Sequence, residues 1–331
     1  MSATASALLP STMRAIAFTG PERAELVDWP LDQAPLRADE VAGRTLVTLV
    51  SPGTELNGYL AERTTPGLSG YTAVMEIDTV GADVSDLKPG DRVFCMGPHA
   101  ARQRTARSMA VPLPAGLAPT VAVFARLMGV SWSTLVTTTA RPPDQVLITG
   151  LGPVGNLAAQ VFTAAGYRVT AVDPVAERRT LATSLGLRDV RTTVPTDLPG
   201  GAQLAVECSG HEQAVLDCVN AVRKRGEVAL VGVPWKKRTD VSAHALLHAI
   251  FHRYVVVRSG WEWEVPTHAR EFTVGSIVGN FTGALEWLAE GRVRVDGLAS
   301  VHAPGDAQRV WQDLRHQRGT PTAIFDWQKP A

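Results

Sequence analysis

Cysteine is scarce in this chain: Cys95, Cys208 and Cys218 are the only three in 331 residues. They are too few and too scattered for a disulfide framework, and none forms the close Cys-x-x-Cys pair of a structural zinc site. There is no excess charge of either sign, with Lys+Arg and Asp+Glu at 32 each. Neither nucleic acid nor an anionic membrane surface is therefore expected as a partner. No stretch approaches eighteen consecutive apolar residues, so no membrane span is expected. Residues 1–13 lack a basic segment followed by an apolar run, and read as a short disordered leader rather than a signal peptide. Repeats and low-complexity tracts are missing as well. What remains is globular composition, 45% hydrophobic and 19% charged, with a reducing cytoplasm as the expected location.

The chain changes character near Pro119. Before it, strands are expected at 14–18, 45–50, 72–80 and 92–94, broken by glycine and proline turns such as Pro89-Gly90. After a helix at 122–138, strands at 145–149, 168–172, 203–207, 227–231 and 255–258 alternate with helices at 154–165, 175–185 and 212–222. Strands separated by helices of this length imply a doubly wound parallel sheet. Further helices are expected at 276–289 and 305–315, and a final strand at 322–325 could close a sheet of the first module. The fold class is α/β, a β module plus a dinucleotide-binding sheet. Its parts are 1–118, 119–262 and a return segment 263–331.

The most specific motif is Gly150-Leu151-Gly152-Pro153-Val154-Gly155. It follows the apolar strand 145–149 and opens a helix, which is the context a dinucleotide fingerprint requires. Gly150 suits the tight turn, Gly152 lets the backbone approach a pyrophosphate, and Gly155 lets helix and strand pack closely. Pro153 and Val154 begin the helix whose positive end faces the phosphates. Asp173 ends the second strand, 18 positions after Gly155. A carboxylate there accepts from ribose hydroxyls and repels a 2′-phosphate, so NAD(H) is favoured. Arg178 and Arg179 follow closely, and NADP(H) stays open.

Gly90-Asp91-Arg92-Val93, the Gly150–Gly155 fingerprint, Val206-Glu207-Cys208-Ser209-Gly210 and the run 226–232 ending in Gly232 occur in this order along most of the chain. In this the chain resembles the medium-chain dehydrogenase/reductase superfamily. The resemblance implies a GroES-like β module on a Rossmann domain, a small-molecule substrate in the cleft between them, Ser209 and Gly232 beside the cofactor, and a homodimer. It breaks at the metal. Ser51-Pro52-Gly53-Thr54-Glu55 puts Pro52 where zinc-dependent members carry a cysteine, and Gly70-Tyr71-Thr72 puts Tyr71 in place of a ligand histidine. Residues 127–134 offer no ligand, and 94–111 hold only Cys95. A zinc-independent enzyme without metal is expected. Ser-Pro-Gly-Thr-Glu further resembles bacteriochlorophyllide dehydrogenases and sugar or cyclitol dehydrogenases of antibiotic pathways.

Without zinc, side-chain donors must polarise a carbonyl and relay its proton. Thr54 matches the family's hydroxyl relay position, Ser51 and Glu55 flank it, and Tyr71 could donate directly. These four are the catalytic candidates, although Thr54 and Glu55 could equally serve the turn, and Tyr71 packing. Trp132, Trp235, Trp261 and Glu262 are candidates for lining the substrate pocket. If Trp261-Glu262-Trp263-Glu264 is extended, both tryptophans or both glutamates face the pocket. Glutamates would suit an aminosugar or aminocyclitol ketone. His244, His248 and His252 would share one face of a helix, more in keeping with surface histidines than a metal site. The function expected is interconversion of a secondary alcohol and a ketone on a polar ring. Enone or quinone reduction, oxidation of a hydroxyethyl group on a large ring, and non-enzymatic nucleotide binding are the alternatives.

Overall fold

The computed structural model describes residues 11–198 and 200–329. Most of the expected leader lies outside them. Thr12 and Met13, however, already belong to a strand, where Met13 stands opposite Trp29. The expected leader therefore fails at Thr12 and Met13, which a hairpin partner captures.

The first module is built from β1 (Thr12–Gly20), β2 (Arg23–Pro30), β3 (Glu40–Leu49), α1 (Pro52–Leu60), β4 (Gly67–Leu68), β5 (Ala73–Val80), β6 (Arg92–Cys95), β7 (Arg102–Ala106) and β8 (Val111–Pro112). β2, β1 and β4 form a small antiparallel sheet. α2 (Pro119–Ala122) and α3 (Ala125–Thr137) lead out of the module. Then come β9 (Gln145–Thr149), α4 (Pro153–Ala164), β10 (Arg168–Val172), α5 (Ala176–Ser184), β11 (Asp189–Arg191), β12 (Ala202–Glu207), α6 (Glu212–Ala221), β13 (Val222–Leu230), α7 (Ala243–Arg253) and β14 (Val256–Ser259). Their six strands pair in parallel in the order β11-β10-β9-β12-β13-β14. This is the doubly wound order, whose ligand crevice opens where connections diverge, between β9 and β12.

A 3-10 turn (Glu262–Glu264) and α8 (Ile277–Ala289) precede β15 (Ala299–His302), α9 (Ala307–Arg315) and β16 (Thr322–Asp326). β16 lies between β15 and β3, so the last strand does enter the first module's larger sheet. One apolar core joins the modules: Leu46 and Phe94 from the β sheet meet Leu127 and Met128 of α3, Leu157 and Val161 of α4, and Phe281 and Leu285 of α8. The segment Pro119–Thr137 is long and apolar enough to cross a membrane by length and composition, contrary to expectation. Some 61% of it is buried in the fold, which is where its apolar side chains are used.

Candidate active site

The strand ends β9, β10, β12 and β13 deliver four turns to one edge. Gly150 has φ +81° and gives its N–H to the Val172 carbonyl at 2.8 Å. A Cβ on Gly155 would sit 1.7 Å from the Gly150 carbonyl oxygen, whereas one on Gly152 would meet nothing within 4 Å. The open side at Gly152 is the N-cap of α4, and no side chain caps it. Pro153 and Val154 form its first turn. Uncapped N–H groups beside open space fit the pyrophosphate of a dinucleotide.

Asp173 is nearly fully buried. It accepts from the backbone N–H groups of Leu151 (2.7 Å) and Val175 (2.8 Å), so it shapes the fingerprint turn from below. Arg178 lies 3.5 Å from its Oδ2 and is partly exposed, while Arg179 donates to the Asp173 carbonyl. Across the crevice, the buried Glu207 accepts from the N–H of Ser209 (2.6 Å) and Gly210 (3.0 Å), and from the Ser209 hydroxyl. Burial pushes the Glu207 carboxyl up despite these donors. Ser209 therefore spends its hydroxyl on Glu207 rather than holding it free. Gly232 donates to the Glu207 carbonyl at 2.7 Å.

The catalytic candidates meet at the start of α1. Ser51 is its N-cap residue, but its hydroxyl does no capping. The Glu55 carboxylate reaches back instead, accepting from the Ser51 N–H at 2.7 Å. Its other oxygen lies 3.1 Å from Nε2 of His99. Both oxygens of Glu55 are thus engaged inside the protein, so it acts through Ser51 and His99 rather than on a substrate directly. His99, which no sequence motif singled out, is completely buried, with Nδ1 unpartnered. Gly70 has φ +87°, and a Cβ there would press on the His99 backbone nitrogen at 2.6 Å. That contact fixes the approach to Tyr71.

The Tyr71 phenol lies among the side chains of Ser51, Thr54, Glu55 and Arg126. Burial pushes its pKa up; the Arg126 cation pulls it back, Glu55 pushes it further up, and the two hydroxyls pull it down. Arg126, from α3, lies with its guanidinium carbon 4.8 Å from the Tyr71 ring centroid. Sequence reasoning missed it, although a single arginine within the apolar stretch 119–137 was a signal.

Three pocket expectations need correction. The 262–264 segment forms a 3-10 turn rather than an extended run. Its carboxylates are spent within the protein, Glu262 on Arg126 at 2.5 Å and Glu264 on Arg258 at 2.9 Å. Neither is left to attract a substrate ammonium. Trp132 packs edge-to-face on Trp287 at 4.5 Å and lies over Gly283, as a joint between helices α3 and α8. Trp261 stays exposed after β14. Trp235 donates its indole N–H to the Gly53 carbonyl at 2.6 Å, bridging the turn after β13 to the first turn of α1.

A zinc ion does not fit these residues. Around Tyr71 stand hydroxyls, Pro52 and the Arg126 cation, and Glu55 and His99 are only a pair. Among the described residues no group of three or more His, Cys, Asp or Glu side chains could hold a metal. His244, His248 and His252 do line one face of α7, with ring centroids 6.1 and 4.0 Å apart.

Residues 153–263 match the family described as zinc-binding dehydrogenase. The zinc-type alcohol dehydrogenase-like protein YphC of Escherichia coli is 34% identical over 115 residues, 32% of this chain and 33% of its own. L-threonine 3-dehydrogenase of Streptomyces avermitilis is 28% identical over 209 residues, 51% of this chain and 61% of its own. The chain therefore aligns with less than two thirds of either relative's length. Galactitol-1-phosphate dehydrogenase from Escherichia coli shares the fold at TM-score 0.80 and 19% identity, covering 95% of this chain and 100% of that one. Over residues 153–263 the chain is similar to zinc-binding dehydrogenases, and over nearly its whole length it shares the fold of galactitol-1-phosphate dehydrogenase.

Proposed function

We propose that this chain is an NAD(P)-dependent oxidoreductase that interconverts a secondary alcohol and a ketone without zinc. The observation that carries this reading is the Tyr71 phenol, near the Ser51 and Thr54 hydroxyls and with Arg126 over its ring, at the position where zinc-dependent relatives place a metal ligand. The nicotinamide cofactor, when bound in the crevice, supplies or accepts the hydride. Gly150, Gly152 and the first turn of α4 hold its pyrophosphate, and Asp173 favours NAD(H), with Arg178 as the residue that would admit NADP(H). Tyr71 gives its Oη proton to the substrate oxygen in reduction and takes one back in oxidation. Ser51 and Thr54 hold the phenol in line for that transfer.

The substrate we infer is a small polyhydroxylated molecule, a sugar or cyclitol. Relatives named for L-galactonate and galactitol 1-phosphate, both small and polyhydroxylated, support that class. The ammonium-bearing version loses its argument, since Glu262 and Glu264 are already paired. We further infer a homodimer, in which the unpaired edge of β14 and the exposed Leu247, Phe251, Tyr254 and Val256 meet a second copy.

The test is turnover of NADH and NADPH on a panel of polyol ketones and enones, with elemental analysis of the same protein. Ketone reduction with far less than one zinc per chain is expected, unaffected by chelators. Tyr71→Phe should lower turnover by about 10²-fold or more while leaving NADH affinity unchanged. Stoichiometric, activity-linked zinc, or a clear preference for enones, would overturn the reading.

A further inference from the structure

The ion pair of Arg126 and Glu262 is nearly sealed from water, with side chains 6% and 7% exposed. Taking two charges out of water is costly, and an apolar pair of similar volume commonly serves stability as well or better. The pair is also incomplete as a structural device. Only Nη2 of Arg126 has a partner in Glu262, while Nε and Nη1 are buried with none. The guanidinium lies over two rings, 4.8 Å from the Tyr71 centroid and 5.9 Å from that of Phe281. Phe281 has nothing to gain from a charge beyond a weak face contact. Tyr71 does, because its phenol can become an anion.

We propose that Arg126, set in place by Glu262, is a positioning residue that stabilises the Tyr71 phenolate left when the proton passes to the substrate oxygen. This deepens the function proposed above and rests on Tyr71 being the proton donor. The groups facing Tyr71 are Ser51, Thr54 and Glu55 from the start of α1 and Arg126 from α3, with Glu262 behind Arg126. Glu55 opposes the phenolate and Arg126 supports it. Glu262 moderates Arg126, for its negative charge offsets part of the cation that Tyr71 feels. The proton leaves Tyr71 Oη for the substrate oxygen and is replaced by one from water. The guanidinium carbon lies 4.8 Å from the Tyr71 ring centroid, and a nearby opposite charge favours the charged form of an acid.

The prediction has a sign for each partner. Removing Arg126 should raise the Tyr71 titration midpoint, and neutralising Glu262 should lower it. A purely structural ion pair would instead give two variants that loosen the site alike. The chain has four tyrosines, so subtracting the near-ultraviolet phenolate titration of Tyr71→Phe isolates one group without any turnover. We expect Arg126→Gln to raise its midpoint by about one unit or more, Arg126→Lys to restore most of the difference, and Glu262→Gln to lower it. The basic limb of the kcat/KM profile should move in the same order. Should Arg126→Gln fail to fold, Arg126→Met, unbranched and uncharged, carries the same upward shift against the downward one of Glu262→Gln. Shifts in one direction for both partners, or no shift in either, would overturn the proposal. Opposing shifts in a protein that reduces no carbonyl would leave the Arg126–Tyr71 coupling standing and reject the oxidoreductase reading instead.

Discussion

Replacing Gly155 by alanine puts a methyl carbon 1.7 Å from the Gly150 carbonyl oxygen and 3.1 Å from Cβ of Cys208. The first neighbour is backbone in the fingerprint turn, so no flexible side chain can swing away. Overpacking of this kind costs about 1–3 kcal/mol, and backbone contact places it at the upper end. Alanine inside a helix recovers about 1 kcal/mol. The net loss is about 2 kcal/mol, which, at an unfolding entropy of about 2.1 cal/mol/K per residue, lowers Tm of a 331-residue chain by roughly 3 °C. Gly152→Ala is the control, since its Cβ meets nothing within 4 Å and its φ of −62° suits alanine. It should cost at most about 1 kcal/mol as a poorer N-cap, yet occupy the space where a pyrophosphate would approach. Thermal melts and NADH fluorescence titrations separate the two effects. Gly155→Ala should lose stability and cofactor together; Gly152→Ala should keep its fold and lose about tenfold or more in affinity, a ligand clash of about 1.4 kcal/mol. A wild-type Tm for Gly155→Ala would refute the packing argument. Unchanged NADH binding by Gly152→Ala would remove the pyrophosphate from this turn.

Asp173→Ser should weaken NADH relative to NADPH, measured by fluorescence titration; tighter binding of NADPH by the wild type would mean that Arg178 reads a 2′-phosphate. Glu40 is held below its ordinary value of 4.5 by hydrogen bonds from Arg104 and the Arg37 backbone N–H. Its folded pKa is depressed, so its contribution to stability is present above pH 4.5 and lost as pH falls through the lower folded value. Glu40→Gln should therefore unfold more easily than wild type at pH 7, with the difference shrinking below pH 4.5; a gap independent of pH in urea melts would contradict this. Trp235→Phe keeps the ring but drops the donor to the Gly53 carbonyl. A net loss of about 0.5–1.5 kcal/mol should quicken hydrogen exchange in the first turn of α1 about two- to tenfold, and unchanged exchange would mean the bond is no brace.

How much of this was legible depends on where the physical cause lies. Strands at 145–149 and 168–172 coincide with β9 and β10, because a fully buried parallel strand announces itself as an apolar run. The fingerprint was readable for the same local reason, since the Gly150 turn and the Gly155 approach follow from residues five positions apart. α1 was not foreseen. Its sequence, Pro-Gly-Thr-Glu-Leu-Asn-Gly-Tyr-Leu, carries two glycines and a proline that read as a turn, and tertiary packing of Tyr59 overrides them. Ser51, Thr54 and Tyr71 come together as a cluster. His99 and Arg126 were invisible as site residues because their partners, Glu55 and Glu262, lie 44 and 136 positions away. The 262–264 segment failed on the period: alternating residue types imitate a strand, but a 3-10 turn satisfies Arg126 and Arg258 with those same carboxylates.

The position of β16 also sets an order of assembly. This strand is inserted between β15 and β3, with Ile324 opposite Leu49 and Thr322 giving its hydroxyl hydrogen to the Val50 carbonyl. Those contacts reach the residues that lead into Ser51 and α1. During synthesis, β9 to β14 can pair as soon as they leave the ribosome, since each strand's neighbours precede it or follow closely. The module whose strands emerge first must wait for nearly the whole chain before its central sheet is complete. Until then β3 presents an open edge beside apolar residues of the shared core, the kind of surface that pairs with a wrong partner. The nascent nucleotide-binding sheet, already folded, would hold α3 and α4 as a platform on which that late closure occurs.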